Sequence, residues 1–183
     1  MGKAKKPTAG RTEIRLGGFG GQGIVTAGYL LGKAAILEGK HAVLTKAYGP
    51  QIRGGWVLAN LIIAQEPIDY PEVRSPDILI CFAQDAYERL RPDLQPQGMI
   101  LFDRDLVSIS TEEKARAIGI PAQQLAEQLG KRVVSNNVML GLLIASTHLV
   151  SKETLERALA ETVPPQFREL NLRALEVGFA HFA

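Results

Sequence analysis

Residues 13–23 read EIRLGGFGGQG, a short alternating segment that runs directly into a cluster of glycines. Apolar residues then recur at helical spacing over residues 24–37, and Gly39 just beyond them is a typical helix stop. A second strand is predicted at His41–Thr45. The stretch therefore reads strand, glycine turn, helix, strand, which predicts a parallel βαβ unit with a right-handed crossover.

The glycine turn, residues 18–23, satisfies the pattern G-x-G-x-x-G between a strand and a helix. Glycines let a phosphate approach the backbone, and the following helix N-terminus offers free N–H groups. A dinucleotide site also needs an acidic residue about 20 residues further on, but the second strand ends in Leu44-Thr45-Lys46, which disfavours NAD. A P-loop is excluded because no Gly-Lys-Ser/Thr follows. A turn that only lets helix and strand pack closely remains an alternative.

A second candidate segment follows the second strand and reads YGPQIRGG at residues 48–55. Arg53 offers a planar guanidinium suited to a carboxylate or a phosphate. The segment lies just past the carboxyl end of a strand, where open α/β sheets bind ligands. Taken alone, Arg53 is as consistent with a structural ion pair or a helix terminus as with ligand binding.

The rest of the chain predicts one α/β domain with a mostly parallel open sheet flanked by helices. We expect a flexible basic tail at residues 1–12 and the domain at residues 13–183. Further strands or β-rich segments are predicted at Trp56–Ala64, Asp77–Phe82, Gly98–Asp103, Ala117–Ile120 and Arg132–Ser135. Further helices are predicted at Ala83–Leu90, Ala122–Leu129, Asn137–Val150, Lys152–Thr162 (with Ser151 as N-cap) and Gln166–Phe182.

Composition narrows the class of protein. With 183 residues, 46% hydrophobic and 22% charged, the chain is a foldable single domain. A net charge of +2 gives no reason to expect nucleic acid or a membrane as the main partner, and a cytoplasmic location is expected. The single cysteine, Cys81, cannot supply the several thiolate ligands of a cysteine zinc site or of an iron–sulfur cluster. No nucleophile–His–acid set occurs, so we predict no catalytic residue and no metal ligand in this chain.

Four segments together resemble the gamma subunit of 2-oxoacid:ferredoxin oxidoreductases, of the pyruvate/ketoisovalerate oxidoreductase catalytic domain family. They are GFGGQG at 18–23, YGPQIRGG at 48–55, EPIDYP at 66–71 and NVMLG at 137–141. The resemblance runs in order from about Glu13 to Leu159. The Arg-Gly-Gly corner and the Ile-Asp-Tyr-Pro turn resemble the 2-oxoglutarate type more than the pyruvate type.

The resemblance implies a subunit of a larger enzyme that converts a 2-oxoacid, CoA and oxidised ferredoxin into an acyl-CoA, CO2 and reduced ferredoxin, or the reverse. Thiamine diphosphate, Mg²⁺ and [4Fe-4S] clusters are then expected on partner subunits (alpha, beta and a possible ferredoxin-like delta). Ferredoxin is reached through the complex, and the isolated chain is expected to be inactive. Pyruvate, branched-chain 2-oxoacid and indolepyruvate enzymes are alternatives within the family; a nucleotide-binding oxidoreductase and a non-catalytic scaffold are alternatives outside it.

The two glycine-rich segments, expected at the ends of adjacent strands, predict an anion-binding edge at a subunit junction, for CoA phosphates or the approach to thiamine diphosphate. The residues expected to bind are Gly18, Gly20, Gly21, Gln22, Gly23, Tyr48, Arg53, Gly54, Gly55 and Asn137. Trp56 stands where the family more usually has a small residue, so its indole is expected to alter a partner contact. The alternative within the family is that both segments only dock the neighbouring subunit.

Overall fold

The computed structural model describes residues 10–49 and 55–182. Their strands form one six-stranded sheet in the order β2-β3-β1-β4-β5-β6. The strands are β1 Arg11–Phe19, β2 His41–Tyr48, β3 Trp56–Ala64, β4 Ile78–Cys81, β5 Met99–Asp103 and β6 Ala117–Ile120. The α-helices are α1 Ile24–Leu37, α2 Gln84–Leu90, α3 Ala122–Gln128, α4 Ser135–Thr147, α5 Lys152–Thr162 and α6 Pro165–Ala180.

Five of the six strands run in one direction. Strands β1, β4, β5 and β6 pair in parallel, whereas β3 pairs antiparallel with both β1 and β2. The single α/β domain with a mostly parallel sheet is therefore confirmed. The prediction that β1 and β2 are adjacent is wrong: Leu61, midway along β3, faces Ile14 of β1 on one side and Leu44 of β2 on the other.

The main hydrophobic core lies on one face of the sheet, under α1 and α4. Side chains with no exposed surface meet there from β1 (Leu16), β3 (Leu61), α1 (Leu31) and α4 (Val138). Helix α4 is buried from Ser135 to Ala145, as its all-round apolar sequence predicts, because α3, α5 and α6 enclose it. The opposite face carries α2 and a smaller core.

The connections that follow β1 and β4 cross to opposite faces of the sheet, and this creates a crevice between the ends of the two strands. After β1 it passes through α1 to one side of the sheet, and after β4 it passes through α2 to the other side. The carboxyl ends of β1 and β4 are adjacent, so they form the topological switch point at which open α/β sheets bind ligands.

Two differences from the sequence prediction concern the segment before α4 and the start of the domain. The predicted strand at Arg132–Ser135 is wrong: Arg132–Val134 is a single 3-10 turn that leads into α4, and Val134 is buried while Val133 is exposed. Strand β1 begins at Arg11, so Arg11 and Thr12 belong to the sheet rather than to a tail, and residues 1–9 lie outside the described part.

The Ser151 N-cap of α5 is confirmed, since its hydroxyl accepts a hydrogen bond from the Thr154 N–H at 3.2 Å. Among the described residues, no helix combines the length and the apolar character that crossing a membrane requires.

Candidate functional site

A cleft of about 370 Å³ opens at the carboxyl edge of the sheet, at the switch point. The glycine turn after β1 forms one wall, and the 3-10 turn with the start of α4 forms the opposite wall. The ends of β4 and β5 supply the floor. The lining residues are Gly20, Gly21, Gln22, Phe82, Asp103, Leu106, Gln123, Arg132, Val133 and Ser135.

The glycine turn has a backbone shape that side chains rarely allow. Gly21 and Gly23 have φ of 95° and 72°, in the left-handed region. A Cβ on Gly21 would meet nothing within 4 Å, so that glycine is required by conformation alone and leaves an open approach from the cleft. The N–H groups of Gly21 and Gly23 donate to no described residue, and no side chain caps α1. These amides and the positive end of α1 are suited to an anion.

Hydrogen bonds tie the glycine turn to the neighbouring strand ends. The Gln22 Oε1 accepts from the Phe19 N–H at 2.6 Å, and its Nε2 donates to the Phe82 carbonyl at 2.9 Å. The Gly20 N–H donates to the Gly55 carbonyl at 2.9 Å. The turn is therefore joined both to Phe82, directly after β4, and to Gly55, the last residue of the second glycine-rich segment.

Two charged side chains of opposite sign line the cleft. Asp103, which is 1% exposed, accepts from the N–H groups of Gln123 and Asp105 at 2.8 and 3.1 Å. Burial raises the pKa of Asp103 above its usual value, and these two bonds and the nearby Arg132 oppose the rise only in part. Arg132 is exposed and forms no ion pair with any described residue. Among the described residues, Arg132 is therefore the cation of the cleft that is able to meet a ligand anion.

The predicted binding residues are divided between the cleft and its surroundings. Gly20, Gly21 and Gln22 line it, and Gly55 touches the turn from outside. Gly18 and Gly23 shape the turn by packing: a Cβ on Gly18 would lie 2.5 Å from the Gln22 Oε1, and one on Gly23 would lie 2.6 Å from the Asn136 Nδ2. Arg53 and Gly54 fall outside the described residues.

The two remaining predicted residues do not line the cleft. Tyr48 is 58% exposed at the end of the edge strand β2, with the Lys46 Nζ 5.9 Å from its ring centroid. Asn137 is buried, and its Nδ2 donates to the Asn171 Oδ1 of α6 at 2.5 Å. It is the preceding residue, Asn136, that contacts the glycine turn.

Sequence reasoning missed seven of the ten residues that line the cleft, among them Asp103, Arg132 and Ser135. Asp103 carried a usable signal, because it is the polar end of a predicted strand at the carboxyl edge. Arg132 and Ser135 were hidden by the incorrect strand prediction for their segment. Trp56, singled out in the sequence, is half-buried at the start of β3 and packs over Gly49, where a Cβ would lie 2.5 Å from its Cδ1.

Exposed apolar side chains lie in the cleft wall and along the carboxyl edge of the sheet. Val133 lines the cleft and is 58% exposed, Phe19 at the end of β1 is 39% exposed, and Tyr48 at the end of the edge strand β2 is 58% exposed. Large apolar groups clustered at one edge of a domain are typical of a surface that another protein covers. The arrangement therefore combines a cleft whose free amides and arginine are suited to an anion with exposed apolar side chains suited to a protein contact.

Comparison with known proteins gives consistent findings. The profile described as pyruvate ferredoxin/flavodoxin oxidoreductase matches residues 13–181. The chain is 45% identical to 2-oxoglutarate synthase subunit KorC of Methanocaldococcus jannaschii over 92% of each chain. It is 34% identical to pyruvate synthase subunit PorC of Methanothermobacter marburgensis, over 91% of this chain and 95% of that one. The solved gamma subunit of a keto/oxoacid ferredoxin oxidoreductase from Geobacter sulfurreducens is 35% identical to this chain, with a TM-score of 0.82. The match covers 93% of this chain and 98% of that one.

Proposed function

This chain belongs to the pyruvate ferredoxin/flavodoxin oxidoreductase family, and from this premise we propose that it is the gamma subunit of a 2-oxoglutarate:ferredoxin oxidoreductase. The complete enzyme converts 2-oxoglutarate, CoA and oxidised ferredoxin into succinyl-CoA, CO2 and reduced ferredoxin, or runs in reverse. One observation carries the choice of 2-oxoacid: identity to a 2-oxoglutarate synthase subunit is 45%, against 34% to a pyruvate synthase subunit of similar extent.

An iron–sulfur cluster does not fit this chain. Its single cysteine, Cys81, has no exposed surface in β4, and burial raises the pKa of its thiol, which opposes the thiolate that a cluster needs. Within residues 10–49 and 55–182, no group of three or more His, Cys, Asp or Glu is placed to hold a metal. We therefore assign the [4Fe-4S] clusters, with thiamine diphosphate and its Mg²⁺, to alpha, beta and ferredoxin-like delta subunits.

The contribution of this chain is the cleft, to which we assign the phosphates of CoA. Arg132 supplies a cation, and the amides of Gly21 and Gly23 at the start of α1 supply hydrogen-bond donors. Arg53 is the second candidate cation, because it stands two residues before Gly55 in the sequence and the Gly55 carbonyl is bonded to the turn. The exposed apolar side chains support a position at a junction with another subunit.

Replacing either arginine tests this assignment. In the assembled enzyme, Arg132→Ala and Arg53→Ala should each raise the KM for CoA roughly tenfold, the loss expected for one charge-assisted hydrogen bond. The KM for 2-oxoglutarate should stay constant. Arg173→Ala, which removes an exposed arginine of α6, is the matched control. An unchanged CoA KM in both variants, with intact assembly, would overturn the CoA assignment and leave the two segments as docking elements.

Purification of the chain with its native partners tests the subunit assignment. We expect other subunits, iron and thiamine diphosphate to co-purify with it. A chain that purifies alone and binds NAD(P) or a flavin would instead be a free-standing oxidoreductase. Variants that impair assembly without any kinetic change would identify a non-catalytic scaffold.

A further inference from the structure

One buried side chain, Asn136, joins the two walls of the cleft. It lies in the first turn of α4 and is 4% exposed. Its Nδ2 donates to the Gly23 carbonyl at 3.3 Å, and its Oδ1 accepts from the Asn137 N–H at 3.0 Å. One end of the amide therefore contacts the glycine turn while the other end is fixed to the backbone of α4.

Asn136 touches both walls without lining the cleft itself. The cleft is lined by its neighbour Ser135 and by Arg132, one helical turn earlier, whereas Asn136 is not among the lining residues. It occupies the place that a side chain on Gly23 would need, since a Cβ there would lie 2.6 Å from its Nδ2. Any effect of Asn136 on a bound ligand must therefore pass through the backbone that it holds.

The contact determines how far apart the anion-binding groups lie. Arg132 precedes α4 by three residues, and Gly23 is the N-cap residue directly before α1. If α4 shifts relative to the glycine turn, the guanidinium of Arg132 moves away from the amides of Gly21 and Gly23. A ligand held from both sides is bound less tightly when that separation changes, because its contacts can no longer all be made at once.

We propose that Asn136 is a positioning residue that sets the separation between Arg132 and the glycine turn and thereby the affinity for the phosphates of CoA. The proposal rests on the proposed function of the cleft. Asn171 offers a matched comparison: it contacts the same end of α4 through Asn137, but from the side of α6, away from the cleft.

The test compares Asn136→Ala with Asn171→Ala in the assembled enzyme. Asn136→Ala should raise the KM for CoA roughly fivefold, the equivalent of one lost hydrogen bond, and leave kcat and the KM for 2-oxoglutarate unchanged. Asn171→Ala should leave all three constants unchanged. A merely structural role of Asn136 predicts a lower melting temperature in both variants, with a CoA KM equal to that of the unmodified enzyme; that result would overturn the proposal.

Two further measurements keep the outcome unambiguous. If Asn136→Ala does not assemble, Asn136→Ser retains a hydroxyl that can accept from the start of α4, and the same rise in CoA KM is expected. If Arg132→Ala raises the CoA KM and neither Asn136 variant does, the positioning role is refuted while the CoA site stands. If variants of Arg132 and Arg53 also leave it unchanged, the CoA assignment itself is refuted.

Discussion

The Glu38 carboxylate links the end of α1 to the start of α5 through hydrogen bonds. Its Oε2 accepts from the Lys40 Nζ at 2.8 Å, and its Oε1 accepts from the Ser151 N–H at 2.6 Å. The same Lys40 donates to the Leu149 carbonyl, so one carboxylate organises the whole corner. Burial acts to raise the pKa of Glu38, but the bonds from Lys40 and Ser151 outweigh it and lower the pKa to about 2.

Replacing Glu38 with glutamine should destabilise the chain in a pH-dependent way. A carboxyl whose pKa falls from 4.5 to about 2 on folding stabilises the native state above pH 4.5 and loses that effect as the pH falls toward 2. Glu38→Gln should therefore cost about 2 kcal/mol of unfolding free energy at pH 7 and less than half as much at pH 3, measured by urea unfolding.

The exposed Glu66 supplies a control for this measurement. Glu66→Gln should lower the free energy of unfolding by no more than about 0.5 kcal/mol at either pH. A Glu38→Gln deficit that is the same at pH 3 as at pH 7 would contradict the role assigned to the ionised carboxylate.

For single residues, the sequence indicates which segments lie near the cleft better than it indicates what each side chain contacts. The glycine motif led to Gln22, which lines the cleft, but both ends of its side-chain amide form hydrogen bonds within the protein, and only the fold could show this. The segment NVMLG at 137–141 led to Asn137, whereas Asn136 is the residue whose side chain contacts the glycine turn. A 100° rotation separates neighbouring residues of a helix, and the sequence does not say which of them faces the site.

Helices α4 and α6 pack closely because each has a glycine at the crossing. A Cβ on Gly141 would overlap the Leu175 carbonyl oxygen, and one on Gly178 would overlap the Val138 carbonyl oxygen. Both obstacles are backbone atoms of the opposing helix, which cannot turn aside as a side chain can. The same packing places Asn137 against Asn171 of α6.

Gly141→Ala should force the two helices apart and lower the unfolding free energy by about 3 kcal/mol or more. Gly28→Ala in α1 is the matched control, because its added methyl would meet the movable Leu44 Cδ1 at 2.8 Å rather than backbone. Its cost should stay within about 1 kcal/mol, since alanine is also the better helix former. Equal costs for the two substitutions in denaturant unfolding would contradict this account of the packing.

Most elements were predictable from the sequence because their patterns are local. Glycine and Ser151 mark helix ends, and the apolar run at β4 marks a strand with all four residues buried. The insertion of β3 between β1 and β2 was not predictable, since it depends on long-range pairing that no local pattern encodes. The segment Arg132–Val134 was misassigned because two valines favour a strand while the fold requires a turn there.

At the scale of the whole molecule, the architecture favours a component of an assembly. The sheet brings the glycine turn, Asp103 and Arg132 to one edge, and exposed Phe19 and Val133 border the same edge. An open cleft with polar and charged groups beside exposed apolar side chains is the arrangement expected where two subunits share a site. The α/β class followed from the sequence, and the cleft followed only once the order of the strands was known.

The most direct test of the central claim is the rate of ferredoxin reduction by the complex purified through this chain, measured with CoA and each of four 2-oxoacids: 2-oxoglutarate, pyruvate, 2-oxoisovalerate and indolepyruvate. The account predicts that kcat/KM for 2-oxoglutarate exceeds that of every other 2-oxoacid by at least about tenfold. A higher kcat/KM for pyruvate or another of the four, or a complex that reduces ferredoxin with none of them, would contradict it.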